Sequence, residues 1–453
     1  MAAHSPRRNA GILEKLLSPF TVLQPGEAKN ALLLTLAIFL LLTSYYVLKV
    51  VREPLILSGG GAELKSYTSA AQAVLLLLAI PVYSAIANRV NRIRLITVVT
   101  LFFISNVLAF YIMAVANMPG LGVAFFIWVG IFNLFIIAQF WSFANDVYTP
   151  EQGKRLFAII GFGQTLGATM GGVISKLLIE HLRVHELMLV AGAILAGYLL
   201  LVRIVNLRMQ QTPRNAVVAA APLQDRRGGF ALVARDRYLL LIGLLLLVLN
   251  FVNTNGEYIL GRVVTDQARD LVAAGNTNGM PADDFMKQFI GVFYADYFTW
   301  VSIVTAVIQI FLVARIMQRF GVRAALFVLP LVSLTAYGII AFIPMLALIR
   351  AAKVGENSLD YSLNNTVRQA LFLPTSRDAK YKAKAAIDTL FVRAGDLSSA
   401  GLVFAGTLLA LQPRDFALVN MVLVLVWLLI VMGIGRRHRA LMDAHPKETN
   451  VAN

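Results

Sequence analysis

Stretches of about twenty mostly apolar residues recur from residue 30 to residue 435, and nothing else in the chain constrains its fold as strongly. Coiled as a helix, such a run matches the roughly 30 Å hydrocarbon core of a bilayer. Inside lipid every backbone N–H and C=O must be satisfied within the segment, so repeated runs imply helices. The composition agrees, with 58% of residues hydrophobic and 14% charged. A soluble globular chain carries about 45–50% apolar residues. The expected class is an all-α polytopic protein of the lipid bilayer.

Candidate spans lie near 30–50, 67–87, 94–117, 120–146, 156–180 and 185–206, then near 238–260, 288–316, 323–345, 348–373, 383–411 and 415–435. That makes twelve transmembrane helices, and the basic residues support the number. With a cytoplasmic N-terminus, the clusters Arg89/Arg92/Arg94, Lys154/Arg155, Arg315/Arg319/Arg323, Lys380/Lys382/Lys384 and Arg436/Arg437/Arg439 share one side. The opposite loops hold only Lys65, Arg183, Arg262, Arg269, Lys287 and Arg414. Positive charge stays on the cytoplasmic side, so both termini are expected there, in a bacterial inner membrane. The net charge of +16 is explained by this asymmetry, and no nucleic acid is implied.

The polar, basic stretch 207–237 divides the spans six and six, giving halves at 30–206 and 238–435. A cytoplasmic tail at 1–29 precedes them and a basic tail at 436–453 follows. The first tail lacks the apolar core of a signal peptide, and Gly11–Phe20 reads as a short amphipathic helix on the membrane face. FWSFANDVYTPEQGKRLFA at the end of span four is echoed by DYSLNNTVRQALFLPTSRDAKYKAKA at the end of span ten. Two six-helix halves with such an echo are the major facilitator arrangement, with a solute site expected near the midplane. The external stretch 262–287 fits a lid and an inert connector equally.

Enzyme chemistry has few candidates. The chain has no cysteine, which excludes thiol catalysis, disulfides and thiolate metal ligation. His4, His181, His185, His438 and His445 fall at or beyond the ends of the apolar runs, so no histidine cluster for a metal or proton relay is expected. His181 and His185 are four apart but read as helix-end surface. Neither a cofactor nor a metal is expected, and the protein is not read as an enzyme.

Segment 350–388 carries the polar chemistry. At 100° per residue, Arg350, Lys353, Glu356, Asn357, Asp360, Asn364 and Arg368 occupy about one third of a helical wheel. Ala351, Ala352, Gly355, Leu359, Leu363 and Ala370 lie across from them. A charged stripe within a membrane protein is expensive unless hydrated or paired, which marks it as a wall of a solute pathway.

Other spans add candidates. Lys49, Arg52 and Glu53 share one face at the end of span one. The two cations suit an anionic solute, or Lys49 snorkels to the interface and Arg52 is tied to Glu53. Asn133 and Gln139 in span four offer amides either to a solute or to neighbouring helices. Gly163, Gly167 and Gly171 in span five recur every fourth residue, as close helix packing requires. Without a following Gly-Lys-Ser/Thr they do not form a phosphate loop. Span seven brings Asn250, Asn253, Asn255 and Glu257, span eight Asp296, and span eleven Asp388, Arg393 and Asp396. Arg393 and Asp396 are spaced to pair. The inventory of buried charge is nearly neutral, so a purely electropositive trap does not follow.

YYVLKVVRE, FWSFANDVYTPEQGKRLFAIIGFG and LFLPTSRDAKYKAKAAID, taken in order, resemble the bacterial and plastid ATP:ADP antiporters. That resemblance implies twelve helices, a fold near the major facilitator superfamily, and nucleotide transport. It also implies roles for a basic residue late in span one and another at the end of span ten, here Arg52 and Arg368. The chain departs from the family at its acidic positions. One falls near Val129 in an apolar stretch, and the other has Asp284 as its nearest counterpart. The resulting expectation is a transporter moving an anionic solute, a nucleotide first, by alternating access. A proton-coupled carrier of another metabolite, using Glu257, Asp296 or Asp360, is the alternative within transport. A non-transporting scaffold or sensor with the same fold is the alternative outside it. The sequence leaves the oligomeric state open, a monomer being compatible with it.

Overall fold

The computed structural model describes residues 27–87, 92–148, 150–210, 229–343, 345–376, 379 and 383–444. The expected amphipathic helix at Gly11–Phe20, most of the 207–237 linker and the end of the basic tail lie outside them. In chain order the helices are α1 (Ala28–Ala87), α2 (Arg92–Val115), α3 (Leu121–Val147), α4 (Pro150–Ile179), α5 (Leu187–Gln210), α6 (Gly229–Arg235) and α7 (Arg237–Ala273). They continue with α8 (Ala282–Val307), α9 (Ala314–Phe342), α10 (Leu346–Leu359), α11 (Asn365–Leu371), α12 (Lys384–Ala386), α13 (Val392–Leu408) and α14 (Pro413–Ala444). No strand occurs among the described residues.

Two glycines turn long helices into pairs. Gly61 (φ 71°, ψ −171°) breaks α1, and Gly321 (φ 73°, ψ 173°) breaks α9. Both conformations are closed to residues with a Cβ, so glycine is required there. π-turns at Ile308–Val313, Asp360–Asn364 and Ile387–Phe391 join α8 to α9, α10 to α11 and α12 to α13. With the glycine breaks taken as helix ends and the π-turns as continuations, the helical runs are consistent with twelve spans. Among the described residues seven helical stretches, one of them running through α8 and α9, are long and apolar enough to cross a bilayer. The runs at 346–371 and 384–408 are not among these, being too rich in charged and polar residues. The outward surface is strongly apolar, with Leu78, Ile112, Leu200 and Leu408 all exposed. A patch of that extent in water would be a liability; against lipid it is the expected outer face.

The chain forms two compact units. The first takes Met1–Pro54, Pro81–Ala219 and Tyr294–Thr299; the second takes Leu55–Ile80, Ala220–Phe293 and Trp300–Asn453. In the first, α2 and α3 meet through stacked and edge-on rings of Phe103, Phe125, Trp128 and Phe132. The start of α1 lies on the glycine face of α4. A Cβ on Gly163 would come within 2.6 Å of the Thr35 carbonyl oxygen, and one on Gly171 within 2.7 Å of that of Thr43. On Gly167 it would run into the Phe39 carbonyl. The four-residue glycine spacing is therefore a packing surface, and Thr43 Oγ1 donates across it to the Gly167 carbonyl at 3.2 Å.

Candidate functional site

In the first unit the functional candidates sit at the end of the α1 stretch that leads to Pro54. Their i, i+3, i+4 spacing puts Lys49, Arg52 and Glu53 on one side of the helix. Lys49 Nζ lies 4.0 Å from the centre of the Phe298 ring and 5.2 Å from that of Tyr46. The Arg52 guanidinium lies 4.4 Å from the ring centre of Phe126 and donates from Nε to Glu53 Oε1 at 3.1 Å, with a second contact from Nη2. Both cations are half-buried on aromatic faces, a placement that lowers the cost of holding charge away from water. Of the two readings of Arg52 open in the sequence, the tie to Glu53 is present. Asn133 is half-buried on α3. Gln139, one turn and a half further along, is enclosed, and neither of its amide atoms meets a hydrogen-bonding partner among the described residues.

In the second unit the polar arc of 350–368 turns inward. Lys353, Glu356, Asn357 and Asn364 are buried, whereas Ala351 is exposed and Ala352, Gly355 and Leu359 are intermediate. Lys353 is wholly enclosed; its Nζ donates to Glu356 Oε2 at 2.7 Å and to Asn253 Oδ1 at 3.1 Å. Glu356 also accepts from Ser333 Oγ at 2.8 Å and from the Tyr337 hydroxyl at 3.2 Å. That hydroxyl reaches the Val252 carbonyl at 3.0 Å, where Asn420 Nδ2 donates too, at 3.1 Å. Asn420 Oδ1 in turn accepts from Asn255 at 2.7 Å. The network laces α7, α9, α10 and α14. A Cβ on Gly256 would crowd Lys353 Nζ and the Tyr337 hydroxyl, so a larger residue there would press on this network.

One turn further along α10, Asn357 Nδ2 donates to Glu257 Oε1 at 3.0 Å. Glu257 Oε2 faces Lys65 Nζ at 4.0 Å. Asp360 is bound by Asn364 Nδ2 at 2.7 Å, and Arg368 Nη2 reaches Asn365 Oδ1 at 3.5 Å. Arg350 is half-exposed near the start of α10. The wheel drawn at a constant 100° fails beyond Leu359. The π-turn Asp360–Asn364 admits an extra residue, and Leu363, expected opposite the polar arc, is buried with it.

The structure also forms a pair that the sequence spacing anticipated and one that it did not. Asp296 accepts from Lys176 at 2.8 Å, and Arg393 pairs with Asp396 at 3.0 Å while Thr254 donates to the same carboxylate at 2.9 Å. Sequence reasoning passed over Glu63 and Lys65, which fall between spans. Glu63 Oε1 accepts from Arg262 at 2.7 Å and from the Tyr258 hydroxyl at 3.0 Å. The signal available was the triplet Gly59–Gly61 followed at once by a renewed helical pattern with two charges. Ser333, Tyr337 and Asn420 carried no signal, being single polar residues in apolar runs.

Comparison with known proteins agrees with this architecture. The family model described as TLC ATP/ADP transporter matches residues 124–438. The "ADP,ATP carrier protein 1" of Chlamydia pneumoniae is 22% identical over 349 residues, covering 67% of this chain and 64% of that protein. The chain thus aligns with somewhat less than two thirds of that relative's length. The protein of the same name from Rickettsia bellii is 21% identical over 507 residues, covering 95% of this chain and 97% of the other. Among solved structures, a bacterial homologue of the iron transporter ferroportin in an inward-facing state superposes with a TM-score of 0.62. It is 13% identical and covers 91% of this chain and all of its own. At that identity the likeness establishes the fold, which is of the major facilitator type. With the family match extending over more than half of its length, from α3 into α14, the chain belongs to the TLC ATP/ADP transporter family.

Proposed function

We propose that the protein exchanges nucleotides of the ATP/ADP type across a bacterial inner membrane by alternating access, with both termini in the cytoplasm. The family match over residues 124–438 carries this reading. The geometry supports it through cations held against aromatic rings: Lys49 on Phe298 and Tyr46, and Arg52 on Phe126. Phosphate groups leaving water need cationic, hydrogen-bonding partners, and the arginine fork meets their oxygens in pairs. A nucleobase adds a flat apolar face that suits aromatic surroundings. Gln139, enclosed and without an amide hydrogen bond among the described residues, offers directional hydrogen bonding in the same unit. Arg52 and Arg368 are the residues expected to hold the phosphates. The proton-coupled alternative draws no support from its carboxylates. Glu257, Asp296 and Asp360 each lie against a cation or an amide.

Counterflow of labelled ATP, ADP and a non-phosphate dicarboxylate across preloaded proteoliposomes tests the proposal. Arg52→Gln and Arg368→Gln are each expected to abolish nucleotide exchange, and Arg368→Lys to keep part of it. Dicarboxylate counterflow that survives both glutamine variants would remove the nucleotide reading. The orientation has its own check in this cysteine-free chain. Cysteines introduced at Gly60 and Asn276 should react with an impermeant reagent on intact cells, and one at Ser376 should not. Labelling of the Ser376 variant from outside would overturn the orientation.

A further inference from the structure

We infer that Lys65 is a further solute-binding cation, for which Glu257 serves as resident counter-ion when no solute is bound. The inference rests on the anion-transport reading above. Lys65 lies just beyond the Gly61 break, in the part of α1 that belongs to the second unit, and its side chain is 9% exposed. An ammonium so enclosed needs an anion beside it. Glu257 provides one, at 4.0 Å from Oε2.

The other oxygen of that carboxylate accepts from Asn357 Nδ2 at 3.0 Å. Two donors from separate helices, an ammonium and an amide, therefore converge on one oxyanion. A terminal phosphate presents oxygens of the same charge and spacing class and fits the same donors. Glu257 is thus an internal stand-in for the solute's anionic group. The two partners differ in access, since the Glu257 side chain is 24% exposed, well above that of Lys65. An incoming anion meets the carboxylate first, and the displaced carboxylate has water to turn to. Lysine suits this exchange, being a compact charge with three rotatable donors and no preference for one planar partner. Binding then trades one anion for another at Lys65, so the buried ammonium is never stranded, and Glu257 helps expel the solute by reclaiming it.

The test uses full-length protein in proteoliposomes, with binding of inorganic pyrophosphate to the purified protein as a second readout. Lys65→Gln is expected to raise the KM for ATP about tenfold, the size of one charge-assisted contact, with Lys65→Arg recovering most of it. Glu257→Gln is expected to tighten pyrophosphate binding about tenfold and to slow exchange, because the Glu257 carboxylate then no longer competes for the ammonium. The double variant Lys65→Gln/Glu257→Gln removes both charges and guards against misfolding of either single one. It should keep the raised KM of Lys65→Gln. A double variant with the wild-type KM would overturn the inference, since Lys65 would then merely neutralise Glu257. If the wild type exchanges ATP but Lys65→Gln leaves its KM unchanged, the inference falls and the transport reading stands. If no nucleotide is exchanged while Glu257→Gln still tightens pyrophosphate, the nucleotide reading falls and the inference stands. Should there be no exchange and no variant alter pyrophosphate binding, both fall.

Discussion

The α1–α4 contact and the cluster around α7 solve one problem, holding helices together without a hydrophobic force between them, in opposite ways. At α4 the side chains are removed: Gly163, Gly167 and Gly171 let the α1 backbone approach until carbonyl oxygens fill the space of a Cβ. Around α7 the side chains are kept and made polar. Lys353, Glu356, Tyr337, Ser333, Asn253, Asn255 and Asn420 form a connected set that closes on the Val252 carbonyl. Dispersion over a smooth contact does the work in the first region. Directional bonds in a low-dielectric interior do it in the second, where each group depends on its partners. The first surface tolerates little added volume, and the second does not tolerate the removal of one charge without its partner.

The comparison predicts unequal failures. The largest belongs to Lys353→Met, which strands the Glu356 carboxylate in the interior and is expected to cost about 3–5 kcal/mol. Thermal unfolding in detergent should show this as a sharp loss of folded protein. The double variant Lys353→Met/Glu356→Met should recover most of the loss, because it removes both charges together. A single variant as stable as the wild type would mean that the network contributes no charge pairing, and the contrast would be lost.

A smaller effect is expected at Gly167→Ala. The added methyl meets the Phe39 backbone rather than a movable side chain, so overpacking should cost about 1–3 kcal/mol, toward the upper end. Gly161→Ala, six residues away with nothing within 4 Å of its Cβ position, should be neutral by the same assay. Equal loss at both positions would point to helix propensity or lipid contact instead of α1–α4 packing.

The polar cluster also separates what a wheel can see from what it cannot. Lys353, Glu356 and Asn357 were legible as one face because 350–359 is regular α-helix, and they are buried together. Beyond Leu359 the π-turn shifts the phase, so Leu363 turns inward contrary to its position on the wheel. A local insertion of one backbone hydrogen-bond step has no signature in residue type. Arg393 and Asp396 were legible for the same reason as the first group, three residues apart on one helix.

What the sequence determined by itself is the part governed by short-range physics. Runs of apolar residues long enough for a bilayer fix helices, since lipid leaves the backbone no other partner. Glycines at every fourth residue fix a packing face, and charges three or four apart fix a shared side. What only the tertiary structure decided is which distant groups become partners. Lys65 and Glu257 are separated by nearly two hundred positions and meet because the stretch of α1 from Leu55 to Ile80 packs within the second unit together with α7. Tyr337 and Ser333 become the ligands of Glu356 through the way α9 lies against α10. Charge pairing acts over a few ångströms of space and is indifferent to distance along the chain, so no pattern in the sequence records it.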